Sequence, residues 1–138
     1  KTMKNKRAKV SIWIILILVL CLGTASSANA ATLRLISLEC VLTEDSEVDE
    51  IMLKVVESDG SYTRYKRNMR SGDLWRLNKR LLFSNRLVVA LIDIDGGPFD
   101  PDDRLGSFIV DTEPTDRVRS YTFNLDGANY RLRYRVDQ

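Results

Sequence analysis

The chain has 138 residues, with 21 basic and 19 acidic side chains, a net charge of +2 and no histidine. Without histidine the usual general base, the serine and cysteine hydrolase triads and the common zinc sites are removed. The slight basicity belongs to the first nine residues, so nucleic acid is not the expected partner.

Lys1, Lys4, Lys6, Arg7 and Lys9 precede an apolar run from Ile12 to Leu22, and Ala28-Asn29-Ala30 supplies small residues two apart. This pattern predicts a secretory signal peptide over residues 1–30, cut after Ala30. The run is about half the length a spanning helix needs, and an uncleaved anchor is the alternative. Cys21 follows Leu20, where lipid attachment requires a small residue. Removing the five leading cations from 21 leaves 16 against 19 acidic residues, a net of about −3. The remaining residues 31–138 suffice for one domain with a modest core. Cys40 is then the only cysteine, so no internal disulfide is expected, and its position argues for simple burial.

From Ala31 onward alternation dominates. In Leu33 to Thr43 the even positions Ile36, Leu38, Cys40 and Leu42 are apolar, predicting a half-buried strand with Cys40 inward. The acidic turn Glu44 to Glu50 leads to a second strand, Ile51 to Val56. Ser58-Asp59-Gly60-Ser61 marks a turn, and Tyr62 to Met69 reads as a third strand. Leu74, Leu77 and Leu81 fit a helical period that Asp73 could cap. The surrounding strands favour an irregular piece leading to a short strand at Leu81-Leu82-Phe83. Leu87 to Ile92 is β-branched and apolar without a break, a strand buried on both faces. Strands at Gly106 to Asp111 and Tyr121 to Leu125 follow. In the last strand Tyr130, Leu132, Tyr134 and Val136 alternate with Arg131, Arg133 and Arg135. Seven or eight short strands separated by Gly, Asp and Pro predict an all-β antiparallel sandwich.

The chemistry gathers at the end of the central strand. Asp93 and Asp95 share a face, and Asp100, Asp102 and Asp103 follow in the next loop. Five carboxylates in so short a stretch repel unless a cation or water absorbs the charge. Oxygen ligands favour calcium or magnesium over zinc. An EF-hand is excluded, because counting from Asp93 the required glycine falls on Pro98 and the closing glutamate on Arg104.

Two stretches together resemble the C2 domain, a calcium- and lipid-binding β-sandwich. That module has an acidic first loop running into an aspartate before an apolar-Lys-apolar strand. Here Asp45 and Asp49 precede Ile51-Met52-Leu53-Lys54-Val55. It also has a strand ending in Asp-x-Asp, a loop, and an aspartate three residues before a glycine, matched by Asp93, Asp95, Asp103 and Gly106. In place of the usual Pro-aromatic pair, Glu50 and Ile51 follow Asp49. The resemblance spans Leu33 to about Asp111 and implies an eight-stranded, small, divergent C2-like sandwich. It implies calcium held by Asp45, Asp49, Asp93, Asp95 and Asp103 from two loops at one end. Solvated turns that use Asp for their own backbone hydrogen bonds are the competing reading.

The resemblance further implies contact with anionic phospholipid through the basic cluster Arg64, Lys66, Arg67 and Arg70, and through Phe99 at the tip of the long acidic loop. A protein or glycan surface is the other expected partner. Arg131, Arg133 and Arg135 form a second basic stripe. For both basic clusters the competing reading is a solvated strand face that deters edge pairing, and for Phe99 it is packing on the loop base. Asp93 and Asp95, adjacent on one strand, could not flank a glycosidic bond from both sides. No nucleophile–base pair is present, so an enzyme is not expected. The expected function is a secreted or periplasmic calcium-binding module, with a calcium-independent interaction sandwich as its rival.

Overall fold

The computed structural model describes residues 30–44, 47–95 and 102–138. The expected leader up to residue 29, Asp45 and Phe99 lie outside the described residues. Eight strands run in chain order: β1 Ala31–Leu42, β2 Asp49–Val56, β3 Tyr62–Met69, β4 Leu74–Phe83, β5 Leu87–Asp93, β6 Asp103–Val110, β7 Arg119–Phe123 and β8 Asn129–Asp137. They form two four-stranded antiparallel sheets, ordered β4-β1-β8-β7 and β3-β2-β5-β6. The expected sandwich is therefore present, with eight strands.

Inner-face residues of both sheets make one apolar core that includes Leu33, Leu35, Leu38, Leu53, Leu91 and Leu132. Burial of this area drives the sheets together. Cys40 is buried among them, as its place in the alternation suggests, and is a free thiol. Between β6 and β7, where the chain changes sheet, Phe108 stacks on Tyr121 at 4.2 Å. The Tyr121 hydroxyl donates to the Ser107 carbonyl at 2.9 Å.

Two details depart from the sequence reading. In β1 the inward positions are Leu33 and Leu35, then Leu38 and Cys40, because the register against both neighbouring strands shifts between Leu35 and Ser37. The bulge reverses the parity, leaving Ile36 half-buried and Leu42 exposed, not inward. The second departure is β4, a full strand from Leu74 to Phe83 where an irregular piece was expected. Trp75, Leu77, Leu81 and Phe83 all meet the core. Leu74 and Leu82 lie on the solvent side, 49% and 73% exposed, and Lys79 occupies an inner-side position with its ammonium 5.5 Å from the Tyr65 ring. Those three residues blur the period-two pattern and create the helix-like spacing.

Candidate functional site

The ends of β2, β5 and β6 meet at one rim of the second sheet. Ile51 pairs with Asp93, and Asp93 pairs with Asp103. Directly opposed residues on neighbouring strands point to the same face, and Ile51 is a core residue. Asp93 and Asp103 therefore sit on the inner face at its margin, and Asp49, two residues before Ile51, shares it. Asp49 and Asp93 are 1% and 2% exposed, while Asp95 and Asp103 are half-buried. The ladder continues one residue beyond β5, where the Ile94 amide donates to the Glu50 carbonyl at 3.0 Å.

A buried carboxylate must be hydrogen-bonded, and Asp49 is. Its Oδ2 accepts from the Glu44 amide at 2.9 Å and from the Tyr130 hydroxyl at 2.7 Å. The second bond crosses from β8 and joins the two sheets at this end. Burial, then this hydrogen bond, push the Tyr130 phenol well above the usual tyrosine range. The Cys40 thiol, which hydrogen-bonds to Tyr130, is raised by burial first and also by the charges of Asp49 and Asp73.

Glu44 and Asp126 belong to this end as well; the sequence reading puts Glu44 in the acidic first loop without naming it as a site residue, and does not place Asp126 here. Burial pushes the Glu44 carboxyl up to about 7, followed by the charge of Asp103, a shared hydrogen bond with it, and the charges of Asp93 and Asp126. Glu44 Oε2 is buried and finds no donor among the described residues. Two carboxylates make a favourable contact only through a proton or a cation. Asp126 arrives from the turn between β7 and β8, where Asp126 and Gly127 both take positive φ, 51° and 80°. The Leu125 amide donates to the Leu105 carbonyl at 3.1 Å and ties that turn to β6. The Asp126-Gly127 pair is a turn signal in the sequence; that it comes close to Glu44 depends on β7 and β8 belonging to the opposite sheet.

Among the described residues no three acidic side chains converge closely enough to hold a metal ion. Of the expected ligands, the structure brings Asp93 and Asp103 together, places Asp49 on their face, and leaves Asp95 one residue beyond the last ladder bond.

The basic cluster on β3 is divided between two faces. Arg64 pairs with Lys54 and Lys66 with Met52, on the outer face, where Lys66 lies 3.6 Å from Glu50. Arg67 pairs with the core residue Ile51 and reaches over the Trp75 ring, 6.0 Å from its centroid. Arg70 follows the strand, its amide donating to Asp73 Oδ2 at 2.8 Å. Trp75 is half-buried against the core.

This architecture is that of solved C2 domains. A C2 domain of plant extended synaptotagmin 1 superposes with a TM-score of 0.54 at 12% identity, over 79% of this chain and 92% of that one. A second C2 domain structure gives 0.53 at 14% identity, over 79% and 98%. Human GIVD cytosolic phospholipase A2 gives 0.53 at 16% identity, over 78% of this chain but 16% of the enzyme's, so nothing of its catalysis carries across. No protein-family model and no curated protein sequence matches the chain. At these identities the likeness is one of fold, and the protein is a C2-like β-sandwich module.

Proposed function

We propose that this C2-like module binds calcium at its acidic end and uses the bound ion to meet a membrane surface or partner. The observation that carries the reading is the gathering of carboxylates at this rim. Asp93 pairs with Asp103, and the buried Glu44 Oε2 has no donor among the described residues. Burial, and then Asp103, Asp93 and Asp126, push the Glu44 carboxyl up to about 7. A divalent cation relieves that crowding as a proton does, at neutral pH, and an all-oxygen donor set suits calcium. Asp49, Asp93, Asp95 and Asp103 would hold the ion, with Asp45 from the first loop. Bound calcium would turn a repelling rim into one that attracts anionic headgroups, with Phe99 and the outward Arg64 and Lys66 as lipid contacts. Export through the leader at residues 1–30 is part of this proposal; millimolar external calcium would suit a site of about 10⁻⁴ to 10⁻³ M.

The test is the thermal midpoint in chelator and across a calcium titration to about 10 mM, with magnesium as control. Ligand at about ten times Kd stabilises the native state by about 1.4 kcal/mol. A midpoint that climbs with calcium, and not in Asp103→Asn, supports the site. The same test on Asp93→Asn requires an intact circular dichroism spectrum, since Asp93 is buried. A flat titration favours the second reading, a calcium-independent interaction sandwich.

A further inference from the structure

The other sheet has an outer face that the calcium reading does not use. Because Leu33, Leu35, Leu38, Tyr130, Leu132 and Val136 face the core, the intervening residues of β1 and β8 face out, and their β4 partners with them. Arg80, Arg34 and Arg135 form one row across β4, β1 and β8, and Arg76, Ser37 and Arg133 the next. Arg131 stands beside Glu39 in a third. The face carries six arginines and two facing carboxylates, Glu39 and Asp137. Asp137 pairs with both Arg34 and Arg135, and Arg131 lies 3.4 Å from Glu39. Arg76, Arg80 and Arg133 have no ion pair among the described residues, so the face has a surplus of positive charge in a domain whose net charge is negative.

The β1 bulge and Asn78, which takes φ 50° in β4, open a depression of about 410 Å³ in this face. Arg34, Lys79, Arg80 and Arg135 line it, with Asn78 and Val118. We infer that this face is a binding surface for an anionic polysaccharide, a sulfated or phosphorylated chain whose charged groups meet the arginine rows and seat one group in the depression. Three features select this ligand. The six cations of the rows are all arginine, with Lys79 a lysine only at the depression's lining. The arginine fork pairs sulfate, phosphate or carboxylate through two hydrogen bonds where lysine offers a point charge. The arginines recur about every 7 Å along β8, and in the Arg80–Arg34–Arg135 row they stand on adjacent strands about 4.8 Å apart, an array that a repeating polyanion can follow. The sheet twists by roughly 20° per strand, so a flexible chain can touch all the rows where a flat bilayer touches a part. No aromatic side chain stands on this face to stack a nucleobase.

The test measures binding of heparin and dextran sulfate to the protein in chelator, so that calcium binding has no bearing on the result. Salt-sensitive binding is expected, with none to neutral dextran, and about tenfold or greater weakening in Arg76→Ser/Arg80→Ser/Arg133→Ser. Arg80→Ser alone serves if the triple variant melts early, and should give a smaller loss in the same direction. As the control, Arg86→Ser, outside this face between β4 and β5 and paired with Asp111, should bind as the parent does. Equal loss in that control, or no loss in either arginine variant, overturns the proposal. So does a result in which vesicles with 20% phosphatidylserine lose affinity in the triple variant while heparin never binds. Salt-reversible self-association abolished by the same variant would seat the acidic loops of a second copy on the face and would equally overturn it.

Discussion

At the scale of single residues, the acidic end owes its behaviour to which carboxylates have donors. Asp49 has two, and Tyr130 supplies one from the opposite sheet. Replacing Tyr130 by Phe removes a buried hydrogen bond to a charged group, and a loss of about 1 to 3 kcal/mol in urea unfolding is expected. Glu44 is the opposite case. Its folded-state value of about 7 exceeds its ordinary value of 4.5, so the folded protein holds a proton there that the unfolded chain gives up. The resulting stability is complete below pH 4.5 and is lost as pH rises through about 7. In chelator the thermal midpoint should therefore fall between pH 5 and pH 8, and Glu44→Gln should flatten that fall and raise the midpoint at pH 8. A midpoint in Glu44→Gln that keeps the parent's slope would show that another group carries the titration. Asp93 was legible from the apolar strand it ends, and Asp49 and Asp103 from the resemblance of their loops to C2 motifs. Glu44 and Asp126 were not, because their importance comes from a meeting of three loops that no local pattern records.

At the scale of elements, the two sheets differ in how plainly they were written. Where inward residues are apolar and outward ones charged, as in β8, alternation settles the strand. It fails where a strand sits at an edge and puts leucine outward, as β4 does with Leu74 and Leu82, and it misleads where a bulge switches parity, as in β1. β6 carries a testable constraint of its own. Gly106 has φ 143°, and a Cβ there would lie 3.3 Å from Phe123 Cδ1 and 3.6 Å from Phe123 Cα. The tight contact is to the Phe123 ring, itself buried in the core, so Gly106→Ala combines strain with crowding and should cost about 1 to 3 kcal/mol. Asn78, also at positive φ, faces an open depression. Asn78→Gly should be nearly neutral there, whereas Asn78→Val should destabilise by about 1 to 2 kcal/mol. Melting curves of these three variants beside the parent would separate the two causes.

Across the whole molecule, both sheets contribute to a single core, and the Tyr130–Asp49 bond joins them at the acidic rim. Two-state unfolding is the expectation for a domain of this size. Leu91→Ala, at a fully buried position, should cost about 2 to 5 kcal/mol without splitting the urea transition into two. A biphasic curve would mean that the sheets unfold separately, and calcium would then be read through one half alone. The arginine face lies on the outer side of the first sheet and the acidic rim at one end of the sandwich, so a variant of one should leave binding at the other unchanged.

Trp75 is the one tryptophan among the described residues, and the Arg67 guanidinium lies over its ring. The domain thus carries its own optical reporter on the border between the inner side of β3 and the first sheet. An anion that draws Arg67 off the indole would change the emission of that single fluorophore, whereas a ligand confined to the arginine rows would leave it as it was. One spectrum could then tell which face of the sandwich a partner has touched, before any residue is changed.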